Sequence, residues 1–309
     1  MLKEKITQKD LSFLMKKINT LLVGLGNMGM MYDYNNIKNI SHANCLKKLN
    51  NKFEIIGAVD RSSKKLDLFK EKFNKPTFKN LKDSLVKMKP DFIIISTSTK
   101  EHIQNIKDIA KYGKTKIILC EKPCSKSLRG SKIIQNISKK SNMQIFVNYL
   151  RINERYFIST IKKIKRQNLT FNIFYDKGLL VNASHFINFF FRLFGKPKII
   201  NVRYIKKIKK DFKSDFRFEY SNVKVNFFYH KKYKNEFELK TKNKMFKFCS
   251  NNKNNFNKNK IRYIKSYGND LNLIMLKNIY NFFERKDNVL CSLKDAINTH
   301  GIVEKIKNA

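Results

Sequence analysis

Residues whose types and spacing suit chemistry fall into a few short segments. The run Gly24-Leu25-Gly26-Asn27-Met28-Gly29 follows the apolar stretch Asn19–Val23 and has the spacing G-x-G-x-x-G. In such a run the first glycine permits a tight turn. The second lets backbone approach a pyrophosphate, and the third lets a helix pack closely on the strand. The helix that follows turns free N–H groups and its positive dipole end toward the anion. The run therefore predicts a dinucleotide site at Gly24, Gly26, Asn27, Met28 and Gly29. Asp60 ends the second strand candidate, where a carboxylate can accept hydrogen bonds from the adenosine ribose. It lies about 30 residues after Gly29, beyond the usual gap of about 20, and the excess is assigned to a Tyr- and Asn-rich loop at Met30–Ile40. A carboxylate there repels a 2′-phosphate and favours NAD over NADP, whereas Arg61, Lys64 and Lys65 just after it could accommodate that phosphate.

Two further segments end apolar strand candidates: Ser96-Thr97-Ser98-Thr99-Lys100-Glu101-His102 and Cys120-Glu121-Lys122-Pro123. Both fall at the carboxyl edge of a parallel sheet, where open α/β folds bind ligands, so Ser96, Thr97, Ser98, Glu121 and Lys122 are expected to border the cofactor. Further on, Asn182 and His185 are spaced i, i+3 and would be neighbours on a helix. His185 sits at the margin of the apolar stripe Phe186, Phe189, Phe190 and Leu193, beside Asn188 and Arg192, a rim position that suits a pocket-lining residue. Tyr149 and Arg151 are placed either to line the same cleft or to pack a domain linker.

These segments together resemble the glucose–fructose oxidoreductase, inositol dehydrogenase and rhizopine catabolism (Gfo/Idh/MocA) family, over residues 18 to about 200 and weakly again in the last helix. Glu121-Lys122-Pro123, far downstream of the glycine run, is the most specific element. The resemblance implies that Lys122 contacts the nicotinamide ribose and the reacting hydroxyl, that His185 exchanges the proton, and that His102 helps shape the cofactor pocket. It also implies a sugar or cyclitol substrate and a homo-oligomer formed through the C-terminal sheet. The sequence departs from the family at Val181, where many members carry an aspartate four residues before the histidine, and at Asn188 and Ser98, where aspartate and proline are common. Asn182-Ala183-Ser184-His185 keeps a related Asn-x-Ser-His pattern. The expected activity is NAD(P)-dependent interconversion of a ring hydroxyl and a ketone. His185 would take the proton and Lys122 would stabilise the alkoxide. Arg151, Arg155, Arg192 and Arg203 point to an anionic or nucleotide-linked sugar, since guanidinium forks suit phosphates and carboxylates. The alternative is a non-catalytic dinucleotide-binding sensor, favoured by the missing carboxylate near His185.

The elements that must position these residues are those of an α/β protein. From 18 to 148, strand candidates Asn19–Gly24, Phe53–Asp60, Asp91–Thr97, Lys116–Cys120 and Gln144–Asn148 alternate with helical stretches Ser62–Phe73, Lys100–Tyr112 and Ser125–Lys140. This predicts a Rossmann domain with a parallel sheet. From 149 to 309 the pattern predicts a second α/β domain on a largely antiparallel sheet. Its helices are Asn182–Phe194, Asn269–Phe283 and Ser292–Lys307, and its strands include Phe216–Tyr220, Val223–Tyr229 and Asn235–Lys240. Ser250–Lys260 reads as a mobile Asn/Lys loop and residues 1–17 as an N-terminal extension.

Composition narrows the partners. The formal charge of +42 suggests nucleic acid or an anionic surface. Yet the chain is also rich in Asn, Ile and Phe, lacks Trp, and has only 10 Gly and 4 Pro, a set of trends that a drift toward A/T-rich codons explains together. Nucleic-acid and membrane partners are therefore not expected. No run of about 18 apolar residues exists to span a bilayer, and the charged first 17 residues contain no export signal, so a cytoplasmic location is expected. The five scattered cysteines, including the Cys120/Cys124 pair, suggest neither a disulfide framework nor a metal site.

Overall fold

The computed structural model describes residues 17–36, 38–164, 168–209, 211–230, 237–240, 245–249, 261–265 and 268–309. These form two compact units. One holds the described residues up to Cys124 with Ile133–Phe146 and Asn272–Asn288, and the other holds Ser125–Lys132, Val147–Leu271 and Val289–Ala309. A single boundary after residue 148 does not capture this division, because Asn272–Asn288 returns to the first unit.

The first unit follows the order β1 (Ile18–Val23), α1 (His42–Lys48), β2 (Phe53–Val59), α2 (Ser63–Phe73), β3 (Thr77–Phe78), α3 (Leu81–Met88), β4 (Phe92–Ile95), α4 (His102–Tyr112), β5 (Ile117–Cys120), α5 (Leu128–Lys140) and β6 (Gln144–Val147). Its six strands lie in the order β3-β2-β1-β4-β5-β6. β1 pairs in parallel with both β2 and β4, so the direction of strand succession reverses beside β1. That reversal opens a crevice at the carboxyl ends of β1 and β4, the place where such sheets take ligands. All four residues of β4 are fully buried, as their unbroken apolar run requires of a strand covered on both faces. Helix α8 (Leu271–Phe283) also belongs here. Tyr280 meets Phe53 edge-on at 6.1 Å, Phe282 meets Phe146 at 4.9 Å and Phe283 meets Phe92 at 6.2 Å. These aromatic contacts are the physical reason a segment so late in the chain joins the Rossmann sheet.

The second unit contains α6 (Arg155–Ile164), β7 (Leu169–Tyr175), α7 (Ser184–Phe194), β8 (Ile199–Ile208), β9 (Asp211–Glu219), β10 (Val223–Tyr229), β11 (Phe237–Lys240), β12 (Met245–Cys249), β13 (Ile261–Lys265) and α9 (Leu293–Lys307). Its seven strands run β13-β12-β11-β7-β10-β9-β8. Neighbours are antiparallel except for the pairs β7–β10 and β12–β13. β7 alternates buried and half-buried residues without a break, presenting Phe171, Ile173 and Tyr175 to the core. There they join Phe186, Phe189 and Phe190 of α7 and Phe216, Phe218 and Phe227 of the sheet. Burying each such ring contributes about 1.5–3 kcal/mol relative to exposure. The stacked pair Phe216–Phe227, 4.2 Å between centroids, shows how closely they pack.

Candidate functional site

In the first unit the glycine run folds as its spacing requires. Gly24 has φ +95°, and a Cβ on it would stand 2.6 Å from the Thr97 nitrogen and 2.7 Å from the Ser96 carbonyl carbon. A Cβ on Gly29 would lie 2.1 Å from the Gly24 oxygen, so both positions admit only glycine. Gly26 has nothing within 4 Å of such a Cβ and leaves open space above the turn, where a pyrophosphate would approach. The loop is held from both flanks. Gly24 donates its N–H to the Val59 carbonyl at 2.7 Å, Leu25 donates to Asp60 Oδ2 at 2.7 Å, and Ser96 Oγ donates to the Gly24 carbonyl at 2.7 Å. Asn27 and Met28 form the turn beyond, their carbonyls accepting from Tyr32 and His42.

The expected excursion before the helix is present. A 3-10 turn at Met31–Asp33 opens it, and α1 begins only at His42. Yet His42 and Ala43 donate their N–H groups back to the carbonyls of Met28 and Gly29, at 2.8 and 3.0 Å. The excursion is spliced into the first turn of the helix. Asp33 closes its base, accepting from the Ile40 and Ser41 N–H groups, while Ser41 caps α1 through Asn44. Burial opposes ionisation of Asp33, but these hydrogen bonds together hold its carboxyl below the usual range.

A cavity of about 570 Å³ opens at this edge, lined by Gly24, Gly26, Asp60, Arg61, Ser96 and Thr97 among others. Asp60 already has partners within the protein here. Besides Leu25 it accepts from Ser62 N–H at 2.9 Å, and Lys65 stands 3.8 Å away. Arg61 is paired with Glu101, whose other oxygen accepts from Ser98 Oγ at 2.9 Å. Thr97 Oγ1 accepts from Asn105 at 2.9 Å. His102 is buried, with Nε2 3.1 Å from the Thr97 carbonyl and Nδ1 3.3 Å from that of Cys124, and so ties the Thr97 loop to the segment after Lys122. Burial pushes its pKa below the ordinary value, keeping it neutral.

Lys122 follows β5 and is half-buried. Behind it, Glu121 is 8% exposed and pairs through Oε1 with Nε2 of the buried His42 at 2.8 Å, while Oε2 accepts from the Lys122 N–H at 3.3 Å. His42 belongs to none of the motifs described in the sequence. Its position as the first residue of the resumed helix was the signal that could have marked it. Burial raises the Cys120 thiol well above its usual pKa. Among the described residues no group of three or more His, Cys, Asp or Glu is arranged to hold a metal ion.

The second unit holds the other candidate residues. Gly178, at φ +105°, precedes a π-helical turn at Leu179–Ala183, and a Cβ there would meet Asp211 Oδ2 at 2.4 Å. That buried carboxylate accepts from the N–H groups of Leu180 at 2.8 Å, Val181 at 3.0 Å and Phe212 at 2.7 Å, capping the turn. Asn182 donates to Asp176 at 3.1 Å, and His185 follows in the first turn of α7. The Tyr149 ring meets the His185 ring edge-on at 5.7 Å. Arg151 pairs with Glu154 at 2.9 Å and lies over the Phe186 ring. Asn188, at the position where aspartate is common, faces α9 and donates to Thr299 Oγ1 at 2.9 Å. Arg192 bonds the Leu290 carbonyl and stands 3.7 Å from Asp295, so it serves the packing of α7 on α9.

A Rossmann crevice with a glycine cradle, an acidic β2 end and a lysine after β5 defines a dinucleotide-binding domain. Residues 18–149 match the model of the GFO_IDH_MocA family, described as an oxidoreductase family with an NAD-binding Rossmann fold. The whole chain is similar in fold to several solved proteins. One is myo-inositol 2-dehydrogenase from Lactobacillus plantarum (15% identity, TM-score 0.75, covering 95% of this chain and 97% of that one). Another is the WlbA dehydrogenase from Bordetella pertussis in complex with NADH and UDP-GlcNAcA (14% identity, TM-score 0.74, 95% and 96%). A third is an oxidoreductase from Agrobacterium radiobacter in complex with NAD+, L-tartaric acid and magnesium (12% identity, TM-score 0.72, 95% and 96%). No curated protein matches the sequence. Among the described residues no helix is long and apolar enough to cross a membrane.

Proposed function

We propose that the protein oxidises a ring hydroxyl of a sugar, or reduces the corresponding ketone, with a preference for NAD over NADP. The observation that carries this reading is the cradle at Gly24–Gly29 sharing one sheet edge with Lys122, whose loop is anchored by the buried Glu121–His42 pair. The open space above Gly26 and the loop N–H groups fit a pyrophosphate, and Asp60 at the cavity wall fits a ribose hydroxyl. Bound there, the nicotinamide supplies the hydride chemistry. The Lys122 ammonium stabilises the developing alkoxide, and His185 accepts the hydroxyl proton, steadied by the Tyr149 ring.

The finer choice of an anionic or nucleotide-linked sugar draws support from the ligand of the Bordetella WlbA dehydrogenase. It loses the support of Arg151 and Arg192, each committed to a carboxylate, and rests on the exposed Arg155 and Arg203. We further propose self-association through the outer face of the second sheet, where the half-buried rings of Phe174 and Phe228 stack at 5.5 Å. A monomer mass by light scattering would overturn that assignment.

The test of function is a screen of neutral sugars, sugar phosphates and nucleotide sugars with NAD and NADP, following reduced cofactor. Lys122→Ala and His185→Ala should each lower turnover at least about a hundredfold, with NADH binding retained in the His185 variant. Binding of NADH with no turnover of any sugar would favour the sensor reading. Absence of NADH binding would sink both.

A further inference from the structure

The adenosine end of the cofactor cavity contains a pair of side chains whose use is not structural. Arg61, on the loop after β2, and Glu101, at the start of α4, are brought together across the cavity wall they both line. The Arg61 side chain is 77% exposed, and ion pairs that exposed contribute little to folding. Glu101 is held in place on its own loop by the Ser98 hydroxyl. The pair therefore sets the charge offered to whatever enters.

That charge balance separates the two nicotinamide cofactors. Two of the cations beside β2 face a carboxylate each, Lys65 at Asp60 and Arg61 at Glu101, while Lys79 and Lys100 line the cavity from other loops. A ribose with free hydroxyls needs only an acceptor, which Asp60 provides. A 2′-phosphate brings a charge of about −2 and three strong acceptor oxygens, for which a guanidinium fork is the natural partner. With Glu101 in place that fork is engaged, and the arriving phosphate meets a second carboxylate besides Asp60.

We propose that Glu101 selects NAD over NADP in this protein by holding Arg61 away from a 2′-phosphate. This rests on the cofactor reading of residues 18–149 and adds a residue outside the glycine run and the β2 end. Glu101→Gln keeps the size of the side chain and an oxygen to accept from Ser98, while releasing the guanidinium.

The experiment is fluorescence titration of NADH and NADPH into the full chain, its Glu101→Gln variant and the double variant Glu101→Gln/Arg61→Ala. The unaltered protein should bind NADH more tightly than NADPH. Glu101→Gln should tighten NADPH by about tenfold and shift NADH by less than about twofold, the scale of one charge-assisted hydrogen bond gained by one ligand only. The double variant should lose that gain. An unchanged NADPH/NADH ratio in Glu101→Gln, or a gain that survives removal of Arg61, overturns the proposal. An unaltered protein that binds neither nucleotide would instead bring down the cofactor reading, and the proposal with it.

Discussion

Both units contain a turn built the same way: a glycine with positive φ, packed against a neighbour, and a carboxylate from a later strand that accepts the N–H groups just after it. In the first unit these are Gly24 and Asp60, in the second Gly178 and Asp211. The carboxylates differ in what remains of them. Asp60 takes one N–H from the glycine loop and one from Ser62, and stands in the wall of the cavity. Asp211 takes three N–H groups and is buried, so its capacity is spent on the turn that leads to His185. The same device thus stands at the wall of an open cavity in one place and inside a fixed backbone turn in the other.

The largest effect should come from breaking the buried member. Asp211→Ala leaves three N–H donors unmatched, each costing about 1–3 kcal/mol, so the second unit should lose roughly 3 kcal/mol or more, read as a lower midpoint in urea unfolding. NADH binding should be unchanged where the variant folds, since the cradle belongs to the other unit. Asp60→Ala should give the opposite signature, a loss of about tenfold in NADH affinity, with NADPH affected less. Equal loss of both nucleotides would remove Asp60 from the ribose role, and a stability loss matching that of Asp211→Ala would erase the distinction between the two turns.

The smallest effect concerns acid. Each unit buries a histidine whose pKa burial holds below the ordinary 6.5: His102 in the first, and His300 in the second, bonded to Ser131 and Glu304. The unfolded chain takes up a proton below about pH 6.5 and the folded chain resists it. The stability these groups contribute is therefore complete above that pH and is lost as pH falls toward their lowered values. Chemical unfolding from pH 7 to about pH 5 should show declining stability, and His102→Gln should remove the part of the slope that belongs to the first unit.

What was legible in the sequence follows from how local each signal is. β1, the glycine run, Asp60 and the late resumption of the helix could all be read because the motif and its consequences lie along one stretch of chain. The strands around Phe53, Phe92, Ile117 and Gln144 were legible from their apolar runs, within a residue or two of their ends. Asp211 was not, since a carboxylate that caps a turn over 30 residues earlier leaves no pattern on its own strand. Leu169–Tyr175 alternates as clearly as Val223–Tyr229, its parallel partner, yet it was not among the expected strands; nor were the helices Leu81–Met88 and Arg155–Ile164. The helix at Leu271–Phe283 was expected, but its packing on the Rossmann sheet depends on contacts with Phe53, Phe92 and Phe146 that no local period encodes. Ser250–Lys260 lies outside the described residues.

The splice at His42 has a consequence for how this region can vary. Because the carbonyls of Met28 and Gly29 meet the N–H groups of His42 and Ala43 directly, the two ends of the excursion lie at adjacent points in space. The segment between them is closed at its base, and its outer part rests on α2 through Tyr34, whose hydroxyl donates to the Leu68 carbonyl and whose own carbonyl accepts from Lys72. Residues added beyond Tyr34 are expected to leave the imidazole that meets Glu121 in place, provided Asp33 still latches Ile40 and Ser41. The excursion is thus the place beside the glycine turn where extra length should disturb the turn least, since both of its ends are fixed by backbone hydrogen bonds.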